Sequence, residues 1–443
     1  MSKMASEVRM RTVVVGAGPV GIYCAMALAR RGEQVVVIDR EAGPPAEGEW
    51  RRRGVMQFAH PHYFRQIVRE VLLERLPDVW DGLLAAGGVP ARFEGAPEFL
   101  TGLQCRRVTY ERVVWAAAAR EPGLIMRNGH VDDLRVDGGR VTGVVVDGVT
   151  VDADRVICAT GRGSRLGDEL RAPGVEDSCG FSYVARMYRG RPEAEWPSWP
   201  LSGEVYAGYQ AILFPHDDRT LSALIVRPSS DAALADLRHA DAFEMAAALI
   251  PQLAPWTAPG SFDPITEVMA GGRLTNGWRG QLDEHGDVPV AGVHFVGDAV
   301  CTTNPSTGRG VSLGLQQGQA LLRFLESDVD PREVAKQLDA WCLERIKPWY
   351  DDHVFGDAAL LRRLAGEDVD VEGPFPSYLY AEAAMAKPSL MPVVGMVMGM
   401  VTLPESLLAV EGDVREMLRS GWRPQFADGP TRDQIAERIL QPA

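Results

Sequence analysis

The sequence predicts an α/β fold with a Rossmann-like parallel sheet, an inserted β-sheet domain and a helical C-terminal region. Three observations lead to this prediction. A strand, a helix and a second strand follow one another between Arg11 and Asp39. Alternating strand patterns dominate residues 181–228, and helical spacing dominates residues 341–443.

The N-terminal segment has the pattern of a β-α-β unit. Residues 11–16 read RTVVVG, an apolar run ending in glycine that is typical of a buried parallel strand. Residues 19–31 carry apolar side chains at helical spacing, and Gly32 follows as a helix-ending residue. Residues 34–39, QVVVID, are predicted to form the second buried strand.

The remaining elements are predicted in the same way. Helical spacing predicts helices, and valine-rich runs separated by Asp-Gly turns predict antiparallel strands. The predicted helices cover residues 63–86, 109–120, 231–253 and 310–325. The predicted strands are a meander over 128–159, a hairpin of 211–214 with 221–227, and a short strand over 293–296.

Composition excludes several classes of function. The 443 residues carry a formal net charge of −14, which is unsuited to nucleic-acid backbones and to anionic membrane surfaces. The six cysteines form no CxxC pair, so neither a metal site nor a disulfide framework is predicted. The apolar stretch 390–403 is shorter than the roughly 20 residues of a membrane span. No signal-like apolar run precedes the first strand, so we expect a cytoplasmic protein.

The loop after the first strand has the spacing of a dinucleotide site. Residues 16–21 read GAGPVG, that is G-x-G-x-x-G between a strand and a helix. Gly16 permits the tight turn, Gly18 lets a pyrophosphate approach the backbone, and Gly21 lets the helix pack close to the strand. The helix N-terminus favours phosphates. Asp39, which ends the second strand, can accept hydrogen bonds from ribose hydroxyls.

A second motif favours FAD over NAD. A short apolar strand ends at Gly297-Asp298, and residues 304–310, NPSTGRG, follow at the head of a helix. Asp298 can accept hydrogen bonds from ribityl hydroxyls, and the glycine-rich turn and helix start can stabilise an anionic reduced flavin. NAD has no ribityl chain, so the pair of motifs predicts FAD.

On these residues the sequence resembles the FAD-dependent aromatic hydroxylase superfamily, the flavoprotein monooxygenases similar to p-hydroxybenzoate hydroxylase. The resemblance extends in pieces from Arg11 to about Leu325 and implies an FAD-binding domain of the glutathione-reductase type. Residues 53–57, RGVMQ, with His60 and His62 after them, are similar to an element of one branch. The residues that the resemblance places at FAD are Gly16, Gly18, Pro19, Val20, Gly21, Asp39, Arg40, Arg53, Gln57, Arg107, Val131, Thr160, Gly161, Asp298, Pro305, Gly308, Arg309 and Gly310.

The resemblance also implies a domain order. The expected FAD-binding segments are residues 1–80, 106–172 and 276–340. The expected substrate-domain segments are residues 81–105 and 173–275, and residues 341–443 are expected to form the helical C-terminal region.

The sequence departs from the family pattern in two places. Asp39 stands where a glutamate is usual, and Ala159-Thr160-Gly161 replaces the Asp-Gly motif of many hydroxylases. The Ala-Thr-Gly version resembles the branch that holds flavin halogenases and isoprenoid reductases. The chain has one G-x-G-x-x-G motif, so we expect NAD(P)H to bind transiently or a partner flavin reductase to supply the electrons.

The positions of the lysines distinguish between the possible flavin-dependent reactions. No lysine lies between Lys3 and Lys336, whereas the family halogenases need a lysine in the first third of the chain. Monooxygenation is therefore the favoured reaction, in which reduced flavin and O₂ give a C4a-hydroperoxide that transfers one oxygen atom. An oxidoreductase without oxygen insertion, such as a dehydrogenase or isoprenoid-type reductase, and an FAD-containing non-redox cyclase remain open.

The substrate and the catalytic groups are less sharply defined. We expect an apolar substrate, aromatic or of polyketide or alkene type, to be hydroxylated or epoxidised in secondary metabolism. Candidate acid–base groups are His60, His62, Tyr209 and His216, each with a purely structural role as the competing interpretation. His216 lies in the polar turn 215–218 and is expected to be solvent-exposed. The oligomeric state stays open.

Overall fold

The computed structural model describes residues 10–93, 96–197 and 202–440, with the backbone alone at 93, 96–100 and 202. Lys3 lies outside these ranges. The strands are β1 (Arg11–Val15), β2 (Gln34–Asp39), β3 (Phe64–Arg65), β4 (Val89–Phe93), β5 (Ala96–Gln104), β6 (Leu124–Asn128), β7 (Val131–Asp137), β8 (Arg140–Val146), β9 (Val149–Asp152), β10 (Arg155–Cys158), β11 (Val175–Ser178), β12 (Phe181–Gly190), β13 (Ser202–Tyr206), β14 (Tyr209–Pro215), β15 (Thr220–Pro228), β16 (Phe262–Pro264), β17 (Met269–Gly271), β18 (Thr275–Trp278), β19 (Val293–Phe295) and β20 (Cys301–Thr302). The helices are α1 (Pro19–Arg30), α2 (Gln66–Arg75), α3 (Pro77–Ala85), α4 (Arg107–Ala118), α5 (Ala240–Leu249), α6 (Ala254–Thr257), α7 (Gly310–Phe324), α8 (Pro331–Arg345), α9 (Lys347–Leu364), α10 (Ser377–Ala386), α11 (Met391–Met398), α12 (Glu411–Arg419) and α13 (Arg432–Leu440).

Five parallel strands form the sheet at the centre of the larger core, in the order β19-β10-β1-β2-β6. β1 is flanked on both sides, and Val15 lies opposite Cys158 in β10 and opposite Ile38 in β2. The predicted β-α-β unit is confirmed, with the helix ending at Arg30. Because parallel strands end at the same edge of a sheet, the residues that follow β1, β2, β10 and β19 lie together.

The predicted meander is also confirmed. Strands β7, β8 and β9 form an antiparallel sheet between β6 and β10. Its turns contain Gly138 and Gly139, with φ of 55° and 71°, and Asp147 and Gly148, with φ of 51° and 77°. Positive φ favours glycine and aspartate, which is why these dipeptides turn the chain here.

The middle of the chain forms a second large sheet, in the order β13-β14-β15-β12-β16 with β17 paired to β12. The predicted hairpin is confirmed as β14 and β15, in which Ala211 lies opposite Ile225. One face of this sheet packs on α5 around Phe243. The other face contributes Tyr183 and Phe214 to a separate apolar cluster.

Two predicted helices differ from the structure. Residues 63–86 form β3, α2 and α3 rather than one helix, because Pro77 has no N–H to continue α2 and begins α3 instead. The segment 231–253 contains a 3₁₀ turn, Ala235–Arg238, and its α-helix is limited to Ala240–Leu249.

The C-terminal region is helical, as predicted. Helix α9 packs against β18 and β20, next to the loop that precedes α7. The parallel strands fall within the three segments predicted to bind FAD, and the domain boundaries themselves stay predictions. No helix within the described ranges is long and apolar enough to cross a bilayer. The six cysteines are buried and unbridged.

Candidate active site

The carboxyl edge of the parallel sheet borders a cavity of about 830 Å³, a volume typical of small-molecule sites. The loops after β1, β2, β10 and β19 line the cavity together with the start of α7. The middle sheet contributes Tyr183, Phe214 and Leu224 to its wall. One cavity therefore joins a nucleotide-type glycine loop to an apolar wall.

The three glycines of the first loop have different surroundings. Gly16 has a φ of 105°, and a Cβ there would lie 2.3 Å from the Ala159 carbonyl oxygen. A Cβ at Gly21 would lie 1.9 Å from the Gly16 carbonyl oxygen, so only glycine lets α1 begin this close to β1. At Gly18 no heavy atom lies within 4 Å of the Cβ position. This open space at the N-terminus of α1 fits a pyrophosphate.

Asp39, at the end of β2, is buried and already engaged. Its Oδ2 accepts hydrogen bonds from the Ala17 backbone N–H at 2.7 Å and from Arg52 Nη2 at 2.6 Å. Its Oδ1 accepts from the Glu41 backbone N–H at 2.9 Å. A carboxylate offers about four acceptor positions, so roughly one is left for a ribose hydroxyl.

Arg52 is a site residue that the sequence interpretation missed. It lines the cavity with only 4% of its side chain exposed, whereas the predicted Arg53 is exposed and lies outside the lining. Burial alone would lower the pKa of Arg52, but the carboxylates of Glu111 and Asp39 raise it above its usual range. The arginine run at 51–53 was the available signal, and the fold decides which of its members turns inward.

Glu111 on α4 links Arg52 to Arg107. This fully buried carboxylate accepts from Arg52 Nη1 at 2.7 Å and from Arg107 Nε. Arg107 lines the cavity and donates to His62 Nε2 at 3.3 Å. His62 Nδ1 donates to the His60 carbonyl at 2.9 Å. Burial and the charge of Arg107 hold the pKa of His62 well below its usual range, so both ring nitrogens of the neutral imidazole are engaged.

The second motif also faces the cavity. Asp298 lines it, and its carboxylate has no hydrogen-bond partner among the described residues; burial raises its pKa. Thr303 lines the same wall with a buried Oγ1 that has no partner in the described chain. Both groups are open to the cavity without a partner, and the hydroxyls of a ribityl chain would supply one.

The loop between β20 and α7 completes the cavity. Pro305, Ser306, Gly308 and Gly310, which the sequence predicts to lie at a flavin ring, line this cavity. Arg309 does not, because its Nη1 donates to Asp352 Oδ2 at 2.5 Å and its guanidinium lies over Trp349.

The apolar wall carries two neutral polar groups. His60 and Tyr183 are in edge-to-face contact with ring centroids 5.0 Å apart. Burial lowers the pKa of His60 to about 4, and its buried Nδ1 has no partner among the described residues. Burial also raises the pKa of Tyr183, so both groups are uncharged at neutral pH. They lie in a wall that includes Met56, Phe214 and Leu224.

The structure brings most of the predicted site residues together. Those that line the cavity are Gly16, Gly18, Pro19, Val20, Gly21, Asp39, Arg40, Gln57, His60, His62, Arg107, Val131, Thr160, Gly161, Asp298, Pro305, Gly308 and Gly310. Those outside the lining are Arg53, Tyr209, His216 and Arg309.

Two of the four acid–base candidates lie away from the cavity. Tyr209 stacks on Tyr206 in the core of the middle sheet, and its hydroxyl donates to the Pro430 carbonyl at 2.9 Å. His216 is 3% exposed rather than exposed as expected, because its turn packs on the start of α4. Burial lowers the pKa of His216 to about 3, and its Nε2 lies 3.1 Å from Ser222 Oγ.

Comparison with known proteins agrees with this architecture. The family described as pyridine nucleotide-disulphide oxidoreductase matches residues 10–194. A triple mutant of the flavin-dependent brominase Bmp2 is similar with a TM-score of 0.64 at 16% identity, over 92% of this chain and 99% of that chain. PqsL, a probable FAD-dependent monooxygenase from Pseudomonas aeruginosa, gives 0.57 at 16% identity, over 81% and 99%.

A third similar structure, the Diels-Alderase PyrE3 of pyrroindomycin biosynthesis, gives a TM-score of 0.54 at 16% identity, over 91% of this chain and 80% of that chain. These three proteins are named for three different reactions on one fold, so the fold does not determine the reaction. The predicted fold is confirmed, and the chain shares it with flavin-dependent enzymes.

Proposed function

We propose that this protein is an FAD-dependent monooxygenase that inserts one atom of O₂ into an apolar organic substrate, by hydroxylation or epoxidation. The observation that carries the proposal is the single cavity in which the glycine loop, Asp298 and the apolar wall around Tyr183 all take part. Bound FAD would supply electrons to O₂, and the protein would hold the substrate beside it.

The chain's own residues would divide the work of binding. The N-terminus of α1, with Gly18 left open, would hold the pyrophosphate. Arg52 and Arg107 would place positive charge beside it, with Glu111 fixing both guanidiniums. Asp298 would accept hydrogen bonds from the ribityl chain.

The substrate end would exclude water and orient the substrate. An apolar wall favours an uncharged substrate body, because burying charge there would cost several kcal/mol. His60 and Tyr183 would bind one polar group of that substrate, since both side chains are neutral and the buried His60 Nδ1 has no hydrogen-bond partner in the described chain. Of the four predicted acid–base candidates, His60 is therefore the one we retain as catalytic.

The reaction balances with a two-electron donor: substrate, O₂, NAD(P)H and one proton give oxygenated substrate, water and NAD(P)⁺. We propose NAD(P)H or a partner flavin reductase as the donor. Halogenation is disfavoured because none of the described lysines, Lys336, Lys347 and Lys387, lines the cavity.

The test first identifies the bound cofactor and then follows the oxygen atoms of O₂ into the products. The purified protein should be yellow, or become yellow with added FAD, and should release FAD rather than FMN on denaturation. An organic ligand identified by mass spectrometry beside the flavin then serves as the substrate under ¹⁸O₂. One labelled oxygen in the product supports a monooxygenase. Label found only in water or peroxide favours an oxidase, dehydrogenase or reductase.

A non-redox cyclase is the second outcome that the experiment separates. Product formation that continues with a redox-inactive flavin analogue would overturn the monooxygenase proposal. A protein that cannot be loaded with FAD would overturn both.

A further inference from the structure

The loop that completes the cavity is held from outside by one helix. Helix α9 makes three polar side-chain contacts with the loop of residues 304–310. His353 Nε2 lies 3.2 Å from Thr307 Oγ1, and Asp352 accepts from Arg309. The third contact, through Asp357, differs from the other two because it belongs to a closed buried network.

Asp357 uses both of its oxygens. Oδ1 accepts from Asn304 Nδ2 at 2.8 Å, and Oδ2 accepts from Asn276 Nδ2 at 2.7 Å. Asn276 Oδ1 in turn accepts from the Asn304 backbone N–H at 2.7 Å. Asn304 Oδ1 accepts from the Ser306 N–H at 3.1 Å and from its hydroxyl at 2.9 Å. These contacts fix the conformation in which the loop leaves β20.

The network carries a charge without a direct counter-ion. Asp357 is 8% exposed and forms no ion pair with a described residue, because the nearby Arg309 is already paired with Asp352. A buried carboxylate costs free energy unless its hydrogen bonds compensate, and here two amide groups do so. Burial raises the pKa of Asp357 to about 6. A purely apolar contact would have packed α9 against the loop without this cost.

We infer that Asp357 is a positioning residue for the flavin: through Asn304 it holds residues 305–310 in the conformation that receives the ring. This inference rests on the proposed function. It makes the C-terminal helical region a part of the cofactor site, although no residue of α9 lines the cavity.

The first test compares Asp357→Asn with Asp351→Asn. Asp351 lies on the same helix, is exposed and, among the described residues, pairs only with Lys347, so its substitution removes the same charge without touching the loop. An amide at position 357 has one acceptor oxygen and loses one of the two bonds. We expect Asp357→Asn to weaken FAD binding about tenfold and to alter the visible spectrum of bound flavin, with no change for Asp351→Asn.

A second test transposes the two side chains. In the double variant Asp357→Asn with Asn304→Asp, the amide at 357 can donate to the carboxylate at 304 and still accept from Asn276. Every bond of the network then has a donor and an acceptor again. We expect FAD affinity within about threefold of wild type, whereas Asn304→Asp alone should bind FAD poorly because two carboxylates face each other.

The outcomes separate the two proposals. Wild-type protein that binds no FAD would overturn both the proposed function and the role of Asp357. Wild-type protein that binds FAD, with Asp357→Asn indistinguishable from Asp351→Asn in affinity and spectrum, would overturn the role of Asp357 alone. If Asp357→Asn does not fold, the double variant Asp357→Asn with Asn304→Asp decides. A folded double variant with wild-type FAD affinity supports the inference. A folded double variant that binds FAD about tenfold more weakly than wild type contradicts it.

Discussion

The two glycines at positions 18 and 21 differ in the space around them: a Cβ would fit at Gly18 but not at Gly21. Gly18 has an extended backbone, with φ −78° and ψ 178°, and open space at its Cβ position. Gly21 packs α1 onto the loop with no room for a methyl group. The motif assigns them different roles, and only Gly21 needs to be glycine for the protein to fold.

We predict that alanine at position 21 mainly destabilises the fold, whereas alanine at position 18 mainly weakens FAD binding. Gly21→Ala should lower the free energy of unfolding by about 3 kcal/mol, because its Cβ overlaps the Gly16 carbonyl. Gly18→Ala should leave the stability of the FAD-free protein within about 0.5 kcal/mol while weakening FAD binding at least about tenfold. Urea denaturation measures the first effect and flavin fluorescence titration the second. Equal FAD affinity in Gly18→Ala would contradict the assigned pyrophosphate position.

Individual site residues can be predicted from the sequence where a motif specifies both the residue type and its spacing. Gly16, Gly21 and Asp298 lie where their motifs imply. The choice between Arg52 and Arg53 could not be predicted, because adjacent loop residues point in different directions. What selects Arg52 is Glu111, a carboxylate 59 positions further along the chain.

Among the elements, the turn between β14 and β15 is the least expected. Its residues His216 and Asp217 are polar, which favours a solvent-exposed turn, yet both are buried. Asp217 accepts from the Arg106 backbone N–H at 2.6 Å, from the Arg106 guanidinium and from Thr109 Oγ1 at 2.7 Å. The turn of the middle sheet therefore anchors the start of α4, the helix that begins with Arg107.

Two neighbouring substitutions test this contact. Asp217→Asn should cost about 2 to 3 kcal/mol, because it leaves the charge of Arg106 without its buried partner. Asp218→Asn should cost less than about 1 kcal/mol, because Asp218 is 60% exposed and asparagine tolerates its positive φ. Urea denaturation of the two variants gives both values. Equal losses would mean that the turn does not anchor α4.

The elements show which patterns carry over to structure. The parallel strands and the meander were predictable because their periodicity is local. The break of the helix at Pro77 is also a local effect, and a stricter interpretation of proline would have predicted it. The buried turn depends on a partner 111 positions away, so no local pattern could indicate it.

For the molecule as a whole, buried neutral histidines contribute to its expected response to acid. Burial lowers the pKa of His60 to about 4, and of His216 and His294 to about 3. In the unfolded chain each would bind a proton below about pH 6.5. The folded state cannot bind these protons until lower pH, so their contribution to stability is lost as pH falls from about 6.5 towards 3.

The variant His294→Leu tests the contribution of one of these histidines to the pH dependence of stability. His294 is fully buried in β19, and neither of its ring nitrogens has a partner among the described residues. Relative to wild type, the variant's free energy of unfolding should rise by about 1.4 kcal/mol per pH unit as pH falls from 6 to 4. Parallel stability curves for His294→Leu and wild type would refute the assignment.

The placement of β1 between β2 and β10, with β19 at the sheet edge, bears on the order in which the protein can mature. The walls of the cavity come from both ends of a long stretch of chain, from Gly16 to Gly310. Helices α1 and α7 also pack closely, since a Cβ at Gly314 would lie 2.5 Å from the Val20 side chain. During synthesis, both strand neighbours of β1 are made before β19, but the cavity stays incomplete until β19 and α7 have left the ribosome. Cofactor capture becomes a late event, and a nascent chain released before α7 would have no complete site to fill.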